Sequence, residues 1–160
     1  MRTCKEKTEM DPFIVELYFD ILENSINELE LSDKPDRLFN IDETSFALDP
    51  SKTKVVWLQN APSSRVTCGT GRESTTLLLG GNAAGEKLPP LIVFKGKNIW
   101  DTWMAPQQLT HPNTSYTASE NGWMKSNIFF NYFNMTFLTS CGEERPILLI
   151  YNGHSTYIDE

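Results

Sequence analysis

The sequence predicts a domain of α and β elements, helices together with a run of short strands, and three observations predict it. A long amphipathic helical pattern lies near the N-terminus. Four short apolar runs of strand length follow within about 60 residues, punctuated by Pro, Gly, Asn and Ser. A second helical pattern and a last, continuously apolar run complete the series.

The first helix is announced by Asp11 and Pro12, an N-cap followed by the residue best tolerated at the first helical position. Ile14, Tyr18, Ile21, Leu22, Ile26 and Leu29 then recur at steps of three and four, which predicts one amphipathic helix over residues 12–30. The polar stretch from Leu31 to Asp36, with Pro35 in it, reads as a short linker. Residues 1–36 are therefore expected to form an N-terminal helix and linker, and residues 37–160 the main domain.

Within that domain, strands are expected at Leu38-Phe39-Asn40-Ile41, Val55-Val56-Trp57-Leu58, Thr75-Thr76-Leu77-Leu78-Leu79 and Leu91-Ile92-Val93-Phe94. Their spacing suggests a mostly antiparallel meander, with the glycines of residues 80–85 in a hairpin turn. Residues 99–125 hold Trp100, Trp103 and Trp123 with little periodicity and read as a long loop packed by its aromatics. Ser126 is expected to cap a second helix with Phe129, Phe130, Phe133 and Phe137 on its core face. After Pro146, Ile147-Leu148-Leu149-Ile150-Tyr151 has the texture of a strand buried on both faces. There is no internal repeat or low-complexity segment.

Composition narrows the class of protein. The chain has 160 residues, 39% of them hydrophobic, with 14 Lys+Arg against 21 Asp+Glu and a net charge of −7. A chain this long buries roughly 70% of its unfolded surface, enough for a core without disulfides or structural metal. Cys4, Cys68 and Cys141 have no short pairing, which leaves them as reduced thiols and excludes a Cys-x-x-Cys zinc site. No apolar run approaches the roughly 18 residues of a membrane span, and the charged start MRTCKEKTEMD is unlike a signal peptide. The expectation is a protein that stays inside the cell, for which the sequons at Asn113 and Asn134 carry no meaning.

Charge is unevenly spread. Residues 1–49 carry 5 basic and 13 acidic side chains, residues 50–100 carry 7 and 2, and residues 101–160 carry 2 and 6. The basic middle points to an anion-binding face as readily as to ordinary solvation.

Standard nucleotide, hydrolase and zinc signatures are missing, and the two histidines, His111 and His154, give no triad. Two places stand out because an apolar strand runs straight into polar groups: Asp42-Glu43 after the first strand, and Asn152-Gly153-His154-Ser155 after the last. Rigid strand ends can aim oxygen donors at a hard divalent cation. Local alternatives exist for both. Asp42 could cap a turn at Thr44, and Asn152-Gly153 is a two-residue hairpin signal with Tyr157-Ile158 as its return strand. His154 is either a loop residue or a phosphate contact.

Three ordered blocks carry a resemblance to a known family. They are Phe39-Asn40-Ile41-Asp42-Glu43-Thr44, then Thr75-Thr76-Leu77 running on to Asn82-Ala83-Ala84-Gly85-Glu86-Lys87-Leu88-Pro89-Pro90-Leu91-Ile92-Val93-Phe94-Lys95-Gly96, and finally Leu148-Leu149-Ile150-Tyr151-Asn152-Gly153-His154-Ser155. Together they resemble the DDE transposases of the pogo, Tigger and jerky type, whose domesticated relatives include centromere protein B. The resemblance implies a ribonuclease-H-like α/β fold, a mixed sheet flanked by helices, with a Mg²⁺- or Mn²⁺-dependent two-metal centre that cuts DNA and joins the freed end to new DNA. It implies Asp42 and the position of Asn152 as metal ligands and catalytic residues. It also implies a nuclear location, DNA as partner, no membrane, and scope for homo-oligomers.

The departures shape the functional expectation. The family pattern has aspartate where this chain has Asn152, and the third acidic ligand lies a few dozen residues further on, so the fold is expected to be incomplete at the C-terminus. A unit charge about 4 Å from another contributes roughly 4 kcal/mol at an effective dielectric of 20, and a divalent ion doubles it. Each roughly 1.4 kcal/mol lost from the transition state costs about tenfold in rate. The expected function is a transposase-derived domain that binds nucleic acid through Lys87, Lys95, Lys97 and His154 without strand transfer, metal being weakly held or absent. An active nuclease borrowing ligands from another chain, and a protein-interaction module on the same fold, are the alternatives.

Overall fold

In the computed structural model, residues 11–47 and 74–152 are described. They form a mixed five-stranded sheet with helices: α1 (Pro12–Glu28), β1 (Leu38–Ala47), β2 (Ser74–Asn82), β3 (Leu91–Lys95), β4 (Ser115–Ser119), α2 (Ser126–Tyr132), α3 (Leu138–Ser140) and β5 (Leu148–Tyr151). The sheet order is β4-β3-β2-β1-β5. β2 runs antiparallel to both β1 and β3, while β4 is parallel to β3 and β5 parallel to β1. Every strand except β2 therefore leaves the sheet at the same end. The strand expected at 55–58, the glycines at 69–71 and the return strand at 157–158 lie outside the described residues.

Asp11 caps α1 as its sequence predicts, accepting from the backbone N–H of Phe13 at 3.0 Å. The helix is stopped earlier than Pro35, by a left-handed Glu30 (φ 54°) that lets Leu31 N–H reach back to Ile26 O at 2.9 Å. Leu31 is fully buried, so the segment expected to be a polar linker is anchored. No described helix is long and apolar enough to cross a membrane.

β1 and β2 alternate cleanly. Phe39 and Ile41 point into the core while Asn40 and Asp42 are exposed. A slip of one residue would swap the two sets, so burial of the apolar pair fixes which way Asp42 points. Gly80 and Gly81, expected in a turn, lie inside β2. At Gly80 a Cβ would sit 2.8 Å from Ile41 Cγ1 and 2.9 Å from Asn40 O, so close approach to β1 requires glycine there. The turn itself is shorter and is organised by Asn82. Its side-chain oxygen accepts from Glu86 N–H (2.9 Å) and its amide donates to Glu86 Oε2 (2.6 Å) and Asp36 O (3.2 Å).

The region expected to be one long loop contains β4, which pairs with β3 from Leu91↔Ser115 to Lys95↔Ser119. After it, α2 starts at Ser126, but the N-cap is Lys125 and no side chain caps it. A single wide turn over Phe133–Phe137 separates α2 from α3 and absorbs one extra residue. Phe137 thereby returns to the buried line of Phe129 and Tyr132. Phe130, expected on that face, is 67% exposed. Phe137 stacks on Phe133 (5.1 Å) and meets Phe39 edge-on (5.3 Å), which ties the helices to β1.

Tyr132 also crosses to the sheet, donating to Pro89 O at 2.9 Å, and burial pushes its hydroxyl from 10.0 up to about 12. The folded state holds this proton more tightly than the unfolded chain, so the stability involved is complete below pH 10.0 and is lost as pH rises towards 12. Urea unfolding between about pH 9 and pH 11 should therefore show a steeper loss of stability in the wild type than in Tyr132→Phe.

Candidate active site

The site is built by parallel pairing of β1 with β5. Their register runs from Leu38↔Leu148 to Ile41↔Tyr151, so the next residues, Asp42 and Asn152, fall side by side. Asn152 Nδ2 donates to Asp42 Oδ1 at 3.5 Å, although 110 positions separate them in the chain. The same Asp42 oxygen accepts from Glu43 N–H at 2.8 Å. Just before them, Asn40 Nδ2 donates to Ile150 O at 3.4 Å. Asp42 sits within β1 and does not cap a turn at Thr44.

The two strands are braced where they join the sheet. Arg37 forms an ion pair with Glu144 and donates to Arg145 O at 3.3 Å, linking the residues before β1 to those before β5. With Glu144 73% exposed, that pair adds little stability, and its effect is to keep the starts of β1 and β5 level. On the opposite side of the sheet, Tyr151 packs its ring 6.5 Å from Phe129. Packing on one face and pairing along the edge thus hold Asp42 and Asn152 on the other.

Comparison with family models finds that residues 72–160, more than half of the chain, match the DDE superfamily endonuclease model. The chain belongs to the DDE superfamily of endonucleases. Searches of curated proteins and of solved structures returned no match. The mixed sheet with flanking helices is the ribonuclease-H-like arrangement expected of a DDE domain. Asp42 precedes the matched residues, but β1 lies between β2 and β5, which are both within them.

DDE endonucleases use divalent metals, which makes the donor set here informative. Asp42 offers one carboxylate whose Oδ1 already accepts two hydrogen bonds, and Asn152 turns an amide donor towards it. No group of three His, Cys, Asp or Glu side chains comes together among the described residues. This donor set does not fit a two-metal centre. Beside Asp42, the neutral amide of Asn152 adds no negative charge to hold a cation.

The other predicted site residues are dispersed. Lys95 ends β3 and Lys97 follows it, at the end of the sheet where β1, β4 and β5 also emerge. Lys87 bridges to Gly81 at the opposite end, about 24 Å from Lys95 along the strand direction. All three are exposed. His154 lies outside the described residues.

Proposed function

We propose that the chain is a transposase-derived DDE domain of the pogo, Tigger and jerky type that binds DNA in the nucleus and no longer cuts or joins strands. The observation that carries this reading is the Asn152 amide turned towards Asp42, where a DDE enzyme would place a second carboxylate. Replacing that charge with a neutral donor weakens the hold on a divalent ion and the stabilisation of charge in phosphoryl transfer. The three ordered sequence blocks support the subtype.

DNA affinity then rests on cations contacting phosphates. Of the seven in residues 50–100, Lys52, Lys54, Arg65 and Arg72 lie outside the described residues. Seven contacts would give a logarithmic salt slope no steeper than about −6 on duplex DNA, and the acidic N-terminal third reduces it. Titration of labelled duplex at several salt concentrations tests this. The expected result is weak, sequence-tolerant binding that falls with salt, with a shallower slope in Lys95→Ala/Lys97→Ala. Binding indifferent to salt would favour the protein-interaction alternative.

A second reading, an active nuclease completed by another chain, is favoured by the exposure of Asp42 beside β5, an edge strand among the described residues. A metal-dependent cleavage assay separates it from the first.

A further inference from the structure

Around the end of β3, large aromatic side chains lie in solvent among cations. Trp100 is 64% exposed and Trp123 63%, with Trp103 at 39%. Lys95, Lys97 and Lys125 are exposed beside them in sequence, together with the carboxylates of Asp101 and Glu120. The backbone brings these segments together. Gly96 N–H donates to Ser119 O at 2.8 Å, and Ser119 Oγ donates to Trp123 O at 2.7 Å. The six-membered ring of Trp103 lies over Gly96, where a Cβ would be 3.3 Å from its Cη2. Gly122 packs as closely on Lys95.

Trp103 is also held from behind. Its ring centroid is 5.4 Å from that of Phe94, and Phe94 in turn stacks on Tyr116 at 6.3 Å with the planes 2° apart. That backing fixes the Trp103 ring before any ligand arrives, which lowers the ordering cost of binding there. Indoles left this exposed forgo the roughly 25 cal/mol per Å² that burial would return.

We propose that this surface binds single-stranded nucleic acid, with unpaired bases stacking on Trp100, Trp103 and Trp123 while Lys95, Lys97 and Lys125 contact the phosphates. Aromatic faces interleaved with cations are the chemistry that recognises an unpaired strand, since every base has a π-face and duplex bases keep theirs occupied. Three cations opposed by two carboxylates make stacking the larger contribution, and the salt slope on a single strand should be no steeper than about −2. The platform also lies at the end of the sheet from which β5 leads to Asn152, three strands and so about 14 Å across. One strand of DNA can therefore pass both features. The inference rests on the nucleic-acid reading above and adds bases to phosphates as what is recognised.

The test compares three fluorescently labelled ligands of equal length, an oligothymidylate, a duplex and an abasic strand, by anisotropy. The wild type should bind oligothymidylate about tenfold or more tightly than either of the others. Trp100→Ala and Trp123→Ala should each weaken that binding about tenfold and leave duplex binding unchanged, while Trp100→Phe retains most of it. Thermal unfolding checks each variant, and because Trp100 is so exposed its substitution carries the result if Trp123→Ala does not fold. Equal affinity for all three ligands, reduced by Lys95→Ala/Lys97→Ala, would overturn base stacking and leave phosphate binding standing. No affinity for any of them would overturn both.

Discussion

Asn152→Asp should convert the site into one that responds to divalent cations without restoring cleavage. In the wild type Asn152 donates to Asp42 Oδ1 at 3.5 Å, and the variant replaces that hydrogen bond with two facing carboxylates. Without metal the loss of the bond and the new repulsion should cost about 1–2 kcal/mol, solvent screening keeping the figure low at these exposed side chains. Added Mn²⁺ should then return this stability and more. A cation present at about 100 times its dissociation constant stabilises by about 2.7 kcal/mol, so the melting temperature should rise with Mn²⁺ in the variant and stay flat in the wild type. Strand cleavage should remain absent in both, because the DDE set requires a third acidic group that does not come near the pair among the described residues. A wild-type melting temperature that climbs equally with Mn²⁺ would contradict the reading of the amide as a cation's substitute.

Gly122→Ala should be the most destabilising single-methyl change in the described fold. The residue has φ +73°, where an L side chain is strained by roughly 1–3 kcal/mol. Its Cβ would also clash with Ser74 O and lie 3.2 Å from Lys95 N, both backbone atoms that cannot swing aside. Its carbonyl accepts the buried Thr76 hydroxyl at 2.8 Å, so a backbone shift to relieve the clash would break that bond as well. Together these predict a loss on the order of 3–5 kcal/mol, read as a fall in the urea midpoint with unchanged slope. A loss below about 1 kcal/mol would show that the start of β2 and the β4–α2 connection are not packed as described.

What can be read from the sequence follows from which physical signal each element carries. α1 is legible through Asp11, Pro12 and its apolar period, and β1, β2, β3 and β5 through apolar runs. β4 is not, because Ser115-Tyr116-Thr117-Ala118-Ser119 is mostly polar and becomes a strand by pairing with β3. Gly80 and Gly81 carry a turn signal, yet their absence of side chains serves close packing against Ile41 and the chain at Glu86. Phe130 misleads because the wide turn after α2 changes which aromatics share a face. At the site, the hairpin signal of Asn152-Gly153 competes with the ligand reading, and only the parallel register of β1 and β5 shows Asn152 beside Asp42. The aromatic platform is visible as three tryptophans but reads as loop packing, since exposure cannot be told from sequence.

The central claim is that a DDE domain with Asn152 facing Asp42 keeps its fold without its chemistry. Supercoiled plasmid incubated with the purified chain in Mg²⁺ or Mn²⁺, alongside Asp42→Ala, tests it most directly. The expected result is no conversion to nicked or linear DNA above background in either protein, with or without metal. Metal-dependent nicking by the wild type that disappears in Asp42→Ala would contradict the claim and establish an active site completed by donors from elsewhere.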